Sequence, residues 1–188
     1  MQTEPIRDRE KLKEFAEHFL SRGQYRNYAL FILGTHTALR VSDLLQLKWD
    51  EVYDEKRGDF YSHIYITEEK TGKQKSVALH RHTVETLRLL LPQKKNDYIF
   101  ANNRKEPAPI CREQAWRIIK SAAEILGFKE CIAFHSLRKT FGYQARVKGA
   151  SEVVLMDIFN HASFETTKRY LGLTQDEKDK VYMELDLF

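Results

Sequence analysis

The sequence predicts an α+β fold that is mainly α-helical, with one small antiparallel β-sheet. Two observations support this prediction: apolar residues recur at helical spacing through most of the chain, and two β-prone runs, residues 61–67 and 74–79, flank a segment that contains Thr71 and Gly72. The two runs indicate a β-hairpin. No linker rich in Pro, Gly or Ser interrupts the chain, and no repeat is evident. We therefore expect residues 1–188 to form a single domain.

The predicted helices begin at capping residues and end near Gly or Pro. Asp8 is a typical N-cap for a first helix that ends before Gly23, and a second helix begins near Tyr25. The chain then turns through residues 37–40, which places Arg40 at a junction between helices. Further helices are predicted over residues 83–91, 112–126, 136–148 and 151–159.

Two capping signals bound the segment that contains Tyr170. Ser163 is a favourable N-cap before it, and Thr174 with Glu177 forms a capping box after it. We therefore expect Tyr170 to lie on a short helix of its own. The tail, residues 181–188, repeats apolar side chains at helical spacing and must bury that stripe somewhere.

Composition favours a protein that binds a polyanion. The chain has 31 Lys and Arg against 27 Asp and Glu, a formal net charge of +4. The longest apolar run, residues 28–33, is far shorter than a membrane span, and the N-terminus shows no signal segment. Cys111 and Cys131 match neither a redox motif nor a zinc pattern. We expect a cytoplasmic protein with reduced thiols and no membrane partner.

Each candidate functional residue has an ordinary explanation when it is taken alone. Arg40 is compatible with a surface ion pair, and a single HxxR pattern such as His135 with Arg138 is usually accidental. His161 is compatible with a loop position, and Tyr170 is one of nine tyrosines. Only the order of these residues along the chain, with their sequence context, is informative.

Four segments carry that context. TALRVSDLLQLKW (residues 37–49) resembles the first arginine box of the tyrosine recombinase (phage integrase) family, and KTGKQKSV (residues 70–77) resembles its lysine-bearing hairpin. FHSLRKTF (residues 134–141) resembles the second arginine box. FNH (residues 159–161), followed nine residues later by the tyrosine of TKRYL, resembles the nucleophile region. The matched positions are Arg40, Lys70, His135, Arg138, His161 and Tyr170.

The resemblance implies the tyrosine recombinase catalytic-domain fold and an enzyme that cuts and rejoins DNA through a covalent bond to Tyr170. A tyrosine hydroxyl, with a pKa of about 10, is a poor nucleophile at neutral pH and needs an electropositive site and a proton acceptor. Arg40 and Arg138 would bind the non-bridging phosphate oxygens, because guanidinium groups are always charged and donate in pairs. His161 would be a further donor.

The same resemblance assigns proton transfer to two residues. Lys70 would protonate the departing 5′ oxygen, and His135 would assist proton transfer at the tyrosine. Lys73 and Lys75 lie on the same predicted hairpin, so the sequence leaves open which lysine acts. Asp43 would orient the site without reacting.

Double-stranded DNA is the implied partner, and no cofactor or metal ion is implied. A homotetramer on DNA is expected, and a monomer is compatible with the DNA-free state. His80 and His82 come closest to a metal-ligand pair but are interpreted as a solvated pair at a helix start. Family members usually carry an additional N-terminal domain that clamps the other DNA face. Residues 1–188 show no such domain, and the sequence leaves open whether the chain is naturally short.

Two alternatives to a site-specific recombinase are a type IB topoisomerase-like enzyme and a catalytically inactive DNA-binding accessory protein. The motif sequences are integrase-like, which argues against a topoisomerase-like enzyme. The catalytic set is intact, which argues against an inactive accessory protein. One departure concerns Asn160, which stands where the family commonly has Gly. Asn tolerates a left-handed backbone, so the turn before His161 is expected to persist.

Overall fold

The computed structural model describes residues 3–102, 106–161, 163–171, 179 and 182–184. It confirms a mostly helical fold with small antiparallel sheets. The helices of the described residues are α1 (Arg9–Leu20), α2 (Tyr25–His36), α3 (Val41–Gln46), α4 (Arg81–Leu90), α5 (Arg112–Ile125), α6 (Phe134–Val147), α7 (Glu152–Phe159) and α8 (Phe164–Leu171). The strands are β1 (Tyr53–Asp54), β2 (Asp59–Phe60), β3 (His63–Thr67) and β4 (Gln74–Ala78). The tail helix predicted from Thr174 lies outside the described residues.

The hairpin of β3 and β4 has the predicted position. The two strands pair antiparallel along their full length. Ile64, Ile66 and Val77 are buried while their neighbours along each strand are exposed, so one face of the hairpin packs on the core. The loop between the strands, residues 68–73, carries Lys70. The hairpin of β1 and β2 was not anticipated, because two-residue strands are too short to show an alternating pattern.

Helix α2 forms the centre of the core. Its residues from Tyr28 to Gly34 are all buried, as expected of a helix that is apolar on every side. Helices α1, α4 and α6 pack against it. Phe15 of α1 stacks on Phe31 of α2 with ring centroids 4.5 Å apart. The core therefore fixes α2, and with it the turn that leads to α3.

Two helix boundaries matter for the site. Asp8 caps α1 as predicted, with its side chain accepting a hydrogen bond from the backbone N–H of Glu10. Helix α6 begins at Phe134, two residues earlier than predicted, which places His135 on the helix.

No helix in the described part of the chain is long and apolar enough to cross a membrane.

The contact between α2 and α6 is tight at Gly34. A Cβ atom added there would lie 2.6 Å from Leu137 Cδ1 and 3.2 Å from Leu137 Cβ. Because Leu137 is fully buried, we expect Gly34→Ala to lower the free energy of unfolding by about 1–2 kcal/mol in urea titrations, despite the helix propensity of Ala.

Leu137→Ala provides the control, since it removes the atoms that would clash. Alone it leaves a cavity and is destabilising, but combined with Gly34→Ala the loss should be less than the sum of the two. Additive losses would contradict the contact.

Candidate active site

Arg40 stands at the N-cap of α3, after a turn that contains an unusual backbone conformation. Ala38 is left-handed, with φ +54°, a conformation that costs a non-glycine residue roughly 1–2 kcal/mol. Thr37 stabilises the turn by donating its hydroxyl to Leu33 O at 2.8 Å. The turn brings the Arg40 side chain beside the β3–β4 hairpin.

The guanidinium of Arg40 pairs with Glu68, a residue that sequence analysis did not select. Arg40 Nη1 lies 2.6 Å from Glu68 Oε2, and the carboxylate is only 1% exposed. Burial alone would raise the pKa of this carboxyl group, but hydrogen bonds from Asn160, Arg40 and Thr71 outweigh it and lower the pKa to about 2. Glu68 is therefore a buried anion that holds Arg40.

A sequence signal for Glu68 did exist. Exposure alternates along β3, with Ile64 and Ile66 facing inward, and Glu68 continues that period of two. A carboxylate at an inward position requires a cationic partner, which the first arginine box supplies. Asp43, expected to orient the site, accepts a hydrogen bond from the backbone N–H of Glu69 at 3.0 Å and so fixes the start of the same loop.

Arg138 lies on α6 and is 3% exposed. Its Nη1 donates to the carbonyl of Ala38, and its Nη2 donates to the carbonyl of Phe159 at 2.6 Å. The guanidinium also lies over the Phe159 ring, 4.9 Å from its centroid. Arg138 thus joins the turn before α3 to the end of α7.

His135 precedes Arg138 by one turn of α6, and its side chain is exposed at the surface of the site. Partial desolvation, followed by the charges of Lys139 and Arg138, lowers the pKa of His135 to about 4. The imidazole is therefore neutral at physiological pH.

One cavity of about 520 Å³ collects the polar residues of three chain segments. Arg40 comes from the turn before α3, Lys70 from the hairpin loop, and His135 and Arg138 from α6. Four of the six sequence-predicted residues thus line the same cavity. Arg112 and Glu69, paired at 3.0 Å, complete its polar rim.

His161 is not among the residues that line this cavity. It lies beside Phe159, whose ring also contacts Arg138. Its ring stacks on Phe159 with centroids 5.2 Å apart, and its Nδ1 lies 3.0 Å from the hydroxyl of the fully buried Thr167. Burial, followed by the charges of Arg138 and Arg40, lowers the pKa of His161 to about 4. The preceding residue, Asn160, is left-handed as expected, with φ 51° and ψ 47°.

Tyr170 lies in the last turn of α8, a short helix that packs against α6 and α7. The hydroxyl of Ser163 is 3.4 Å from the backbone N–H of Thr166, consistent with the expected N-cap. The Tyr170 side chain lies outside the described part of the structure.

The three hairpin lysines have different surroundings. Lys75 Nζ donates to Ile158 O at 2.7 Å, and burial, followed by the charge of Arg138, lowers its pKa to about 8. Lys73 Nζ donates to Asn160 Oδ1 at 3.1 Å. Both lysines therefore hold the end of α7, and Lys70 is the one that lines the cavity.

No three His, Cys, Asp or Glu side chains among the described residues are arranged to hold a metal ion. His80 instead caps α4, its Nδ1 accepting from the backbone N–H of His82 at 3.2 Å. This agrees with the interpretation of the pair as part of a helix start.

Comparison with known proteins identifies the family and the fold. The model of the Phage integrase family matches residues 7–177. The probable integrase/recombinase YoeC of Bacillus subtilis is 36% identical over 180 residues, which cover 95% of this chain and 94% of that protein. The tyrosine recombinase XerD of Listeria innocua is 26% identical over 167 residues, but these span only 54% of its length.

A solved structure gives the same fold. In the crystal structure of XerH site-specific recombinase bound to palindromic difH substrate, a post-cleavage complex, the match has a TM-score of 0.76 at 21% identity and covers 94% of this chain and 51% of that one. The family match extends over most of the chain and includes both arginine boxes, the hairpin and the helix of Tyr170, and the chain therefore belongs to the phage integrase family.

Proposed function

We propose that this protein is a site-specific DNA recombinase that cleaves and rejoins double-stranded DNA through a 3′-phosphotyrosyl bond to Tyr170. The observation that carries the proposal is the cavity in which Arg40, Arg138, His135 and Lys70 meet. This set combines two fixed cations, a neutral imidazole and a flexible amine. Each of these groups has a role in cleaving a phosphodiester, either in binding its charged oxygens or in transferring a proton.

The two arginines would stabilise the charge that develops on the non-bridging oxygens during attack. Glu68 and the carbonyls of Ala38 and Phe159 hold their guanidinium groups before DNA arrives, so little reorganisation is needed. His161 would add a neutral donor: where the Thr167 hydroxyl donates to Nδ1, the imidazole proton lies on Nε2.

In the proposed cleavage step, every bond and proton is accounted for by the protein and the DNA, without a cofactor. The Tyr170 oxygen attacks phosphorus, its proton passes to His135, and the bond from phosphorus to the 5′ oxygen breaks while Lys70 protonates that oxygen. The products are a 3′-phosphotyrosyl DNA and a free 5′ hydroxyl. Because the new bond is also a phosphodiester, a 5′ hydroxyl of another strand can reverse the step without ATP.

DNA is the proposed partner because a structure of similar fold, the Tn1549 transposon integrase, is in complex with a circular intermediate DNA, and because this chain carries a net charge of +4. A homotetramer on DNA is proposed as the working assembly. The relatives are named integrases and recombinases, which favours strand exchange over topoisomerase-like relaxation.

Tyr170→Phe should abolish covalent attachment to a nicked suicide substrate, because it removes only the nucleophilic oxygen. Affinity for the same DNA should stay within about twofold of the parent protein in a gel-shift titration. Tyr98→Phe is the matched control and should form the adduct normally. Covalent product from the Tyr170→Phe protein would reject the nucleophile assignment.

Arg138→Lys should lower the cleavage rate by roughly 100-fold or more, because the point charge of an ammonium group cannot replace the paired N–H donors of a guanidinium group. The rate is measured in single turnover with enzyme in excess. Arg22→Lys is the control, because Arg22 also donates to a backbone carbonyl, His18 O at 2.9 Å, but lies just beyond the C-terminal end of α1 and outside the cavity lining. Near-normal cleavage by the Arg138→Lys protein would contradict its role.

Deletion of residues 179–188 tests the proposed assembly, since Val181, Leu185 and Phe188 repeat at i, i+4 and i+7 in the tail. If the tail docks on a neighbouring subunit, the truncated protein should lose recombination and tetramer formation on DNA while still binding one site as a monomer. Native gels and a two-site recombination assay separate these activities. Unimpaired recombination would show that the tail packs only on its own domain.

A further inference from the structure

The side chain of Asn160 connects the end of α7 to the loop between β3 and β4. Its Nδ2 donates to Glu68 Oε2 at 2.7 Å and to Thr71 Oγ1 at 3.1 Å. Its Oδ1 accepts from Lys73 Nζ at 3.1 Å. Both polar atoms of one amide therefore bind three residues of a single loop, some ninety positions earlier in the chain.

The backbone conformation of Asn160 does not require this side chain. Glycine adopts the left-handed conformation with no steric penalty and is the usual residue at such a helix end. An amide at this position is therefore an addition that supplies contacts glycine lacks. These contacts are what has to be explained.

The two segments joined by Asn160, the end of α7 and the loop between β3 and β4, differ in how many other contacts hold them. The end of α7 has two further attachments: Lys75 donates to Ile158 O at 2.7 Å and Arg138 donates to Phe159 O at 2.6 Å. Loss of the amide would leave that turn in place.

The loop depends more strongly on Asn160. Its residues from Glu69 to Lys73 are exposed. On the N-terminal side of Lys70, the loop is held by the ion pair of Glu68 with Arg40, by the bond from Glu69 N to Asp43 and by an exposed ion pair of Glu69 with Arg112. On the other side, Thr71 donates to Glu68 within the loop, and Asn160 adds contacts from outside the loop to Thr71 and Lys73.

We propose that Asn160 is a positioning residue that places Lys70 against the departing 5′ oxygen by tying the β3–β4 loop to the end of α7. This inference rests on the proposed function, in which Lys70 donates the proton to that oxygen. The amide does not touch the reacting atoms, and it reaches Lys70 through the loop; its bond to Glu68, which pairs with Arg40, is separated from that role by the test below.

Two suicide substrates test the inference, one with the ordinary bridging 5′ oxygen and one with sulfur in its place. A thiol, with a pKa of about 8.5, is far more acidic than an alcohol, so the sulfur leaves without a proton donor. Asn160→Gly should cleave the oxygen substrate roughly tenfold more slowly than the parent protein and the sulfur substrate within about twofold of it.

An equal slowing on both substrates would overturn the inference, because the amide would then serve Arg40 through Glu68, the nucleophile or the fold. An unchanged rate on the oxygen substrate would also overturn it. Asn96→Gly removes a half-buried amide that accepts from Tyr98 N at 2.9 Å and lies outside the cavity lining, and it should leave both rates unchanged. Urea midpoints of each variant show that the comparison is made between folded proteins.

Lys70→Ala separates failure of this inference from failure of the proposed function. Its defect should be large on the oxygen substrate and rescued by sulfur. If Lys70→Ala is not rescued, the proton-donor role of Lys70 in the proposed function is wrong. If Lys70→Ala is rescued but Asn160→Gly is slowed on both substrates, only the positioning role of Asn160 is wrong.

Discussion

The buried guanidinium of Arg138 is the interaction on which the site depends. A buried cation is tolerated only when hydrogen-bond acceptors surround it, and here the acceptors include the carbonyls of Ala38 and Phe159. The Phe159 carbonyl lies at the C-terminal end of α7, where the helix dipole favours a positive charge. The Ala38 carbonyl belongs to a left-handed residue, so Arg138 stabilises a turn that is otherwise strained. One side chain thereby fixes the distance between Arg40 and His161.

Opposite charges keep this group of cations together in the absence of DNA. Glu68 lies almost fully buried against Arg40, and its low pKa keeps it ionised across the physiological range. Desolvation first, and then the same cationic surroundings, keep His135 and His161 neutral. Fixed positive charge beside neutral imidazoles suits the anionic phosphate of the proposed DNA substrate. The charge arrangement is thus already suited to phosphoryl transfer.

The sequence was a good guide to the caps, to the hairpin and to the turn before His161. Capping by Asp8, the β3–β4 hairpin and the left-handed Asn160 were expected from residue types at short range. Glu68 was missed because its importance comes from burial against Arg40, which lies 28 positions away. Among the hairpin lysines, the sequence could not choose, since each has the same chemistry. Their surroundings separate them: Lys75 and Lys73 bind the end of α7, and Lys70 lines the cavity.

The sequence by itself determined the class of fold, the family and the set of candidate residues, because helical periodicity, caps and the ordered motifs are all properties of neighbouring residues. Only the tertiary structure decided which polar groups meet. Arg138 reaches Ala38 across 100 positions and Asn160 reaches Glu68 across 92, and such pairings depend on how α6 packs against α2 and α7 against α6. The pKa values of His135 and His161 were likewise set by folding, since desolvation and neighbouring cations exist only once these segments are brought together.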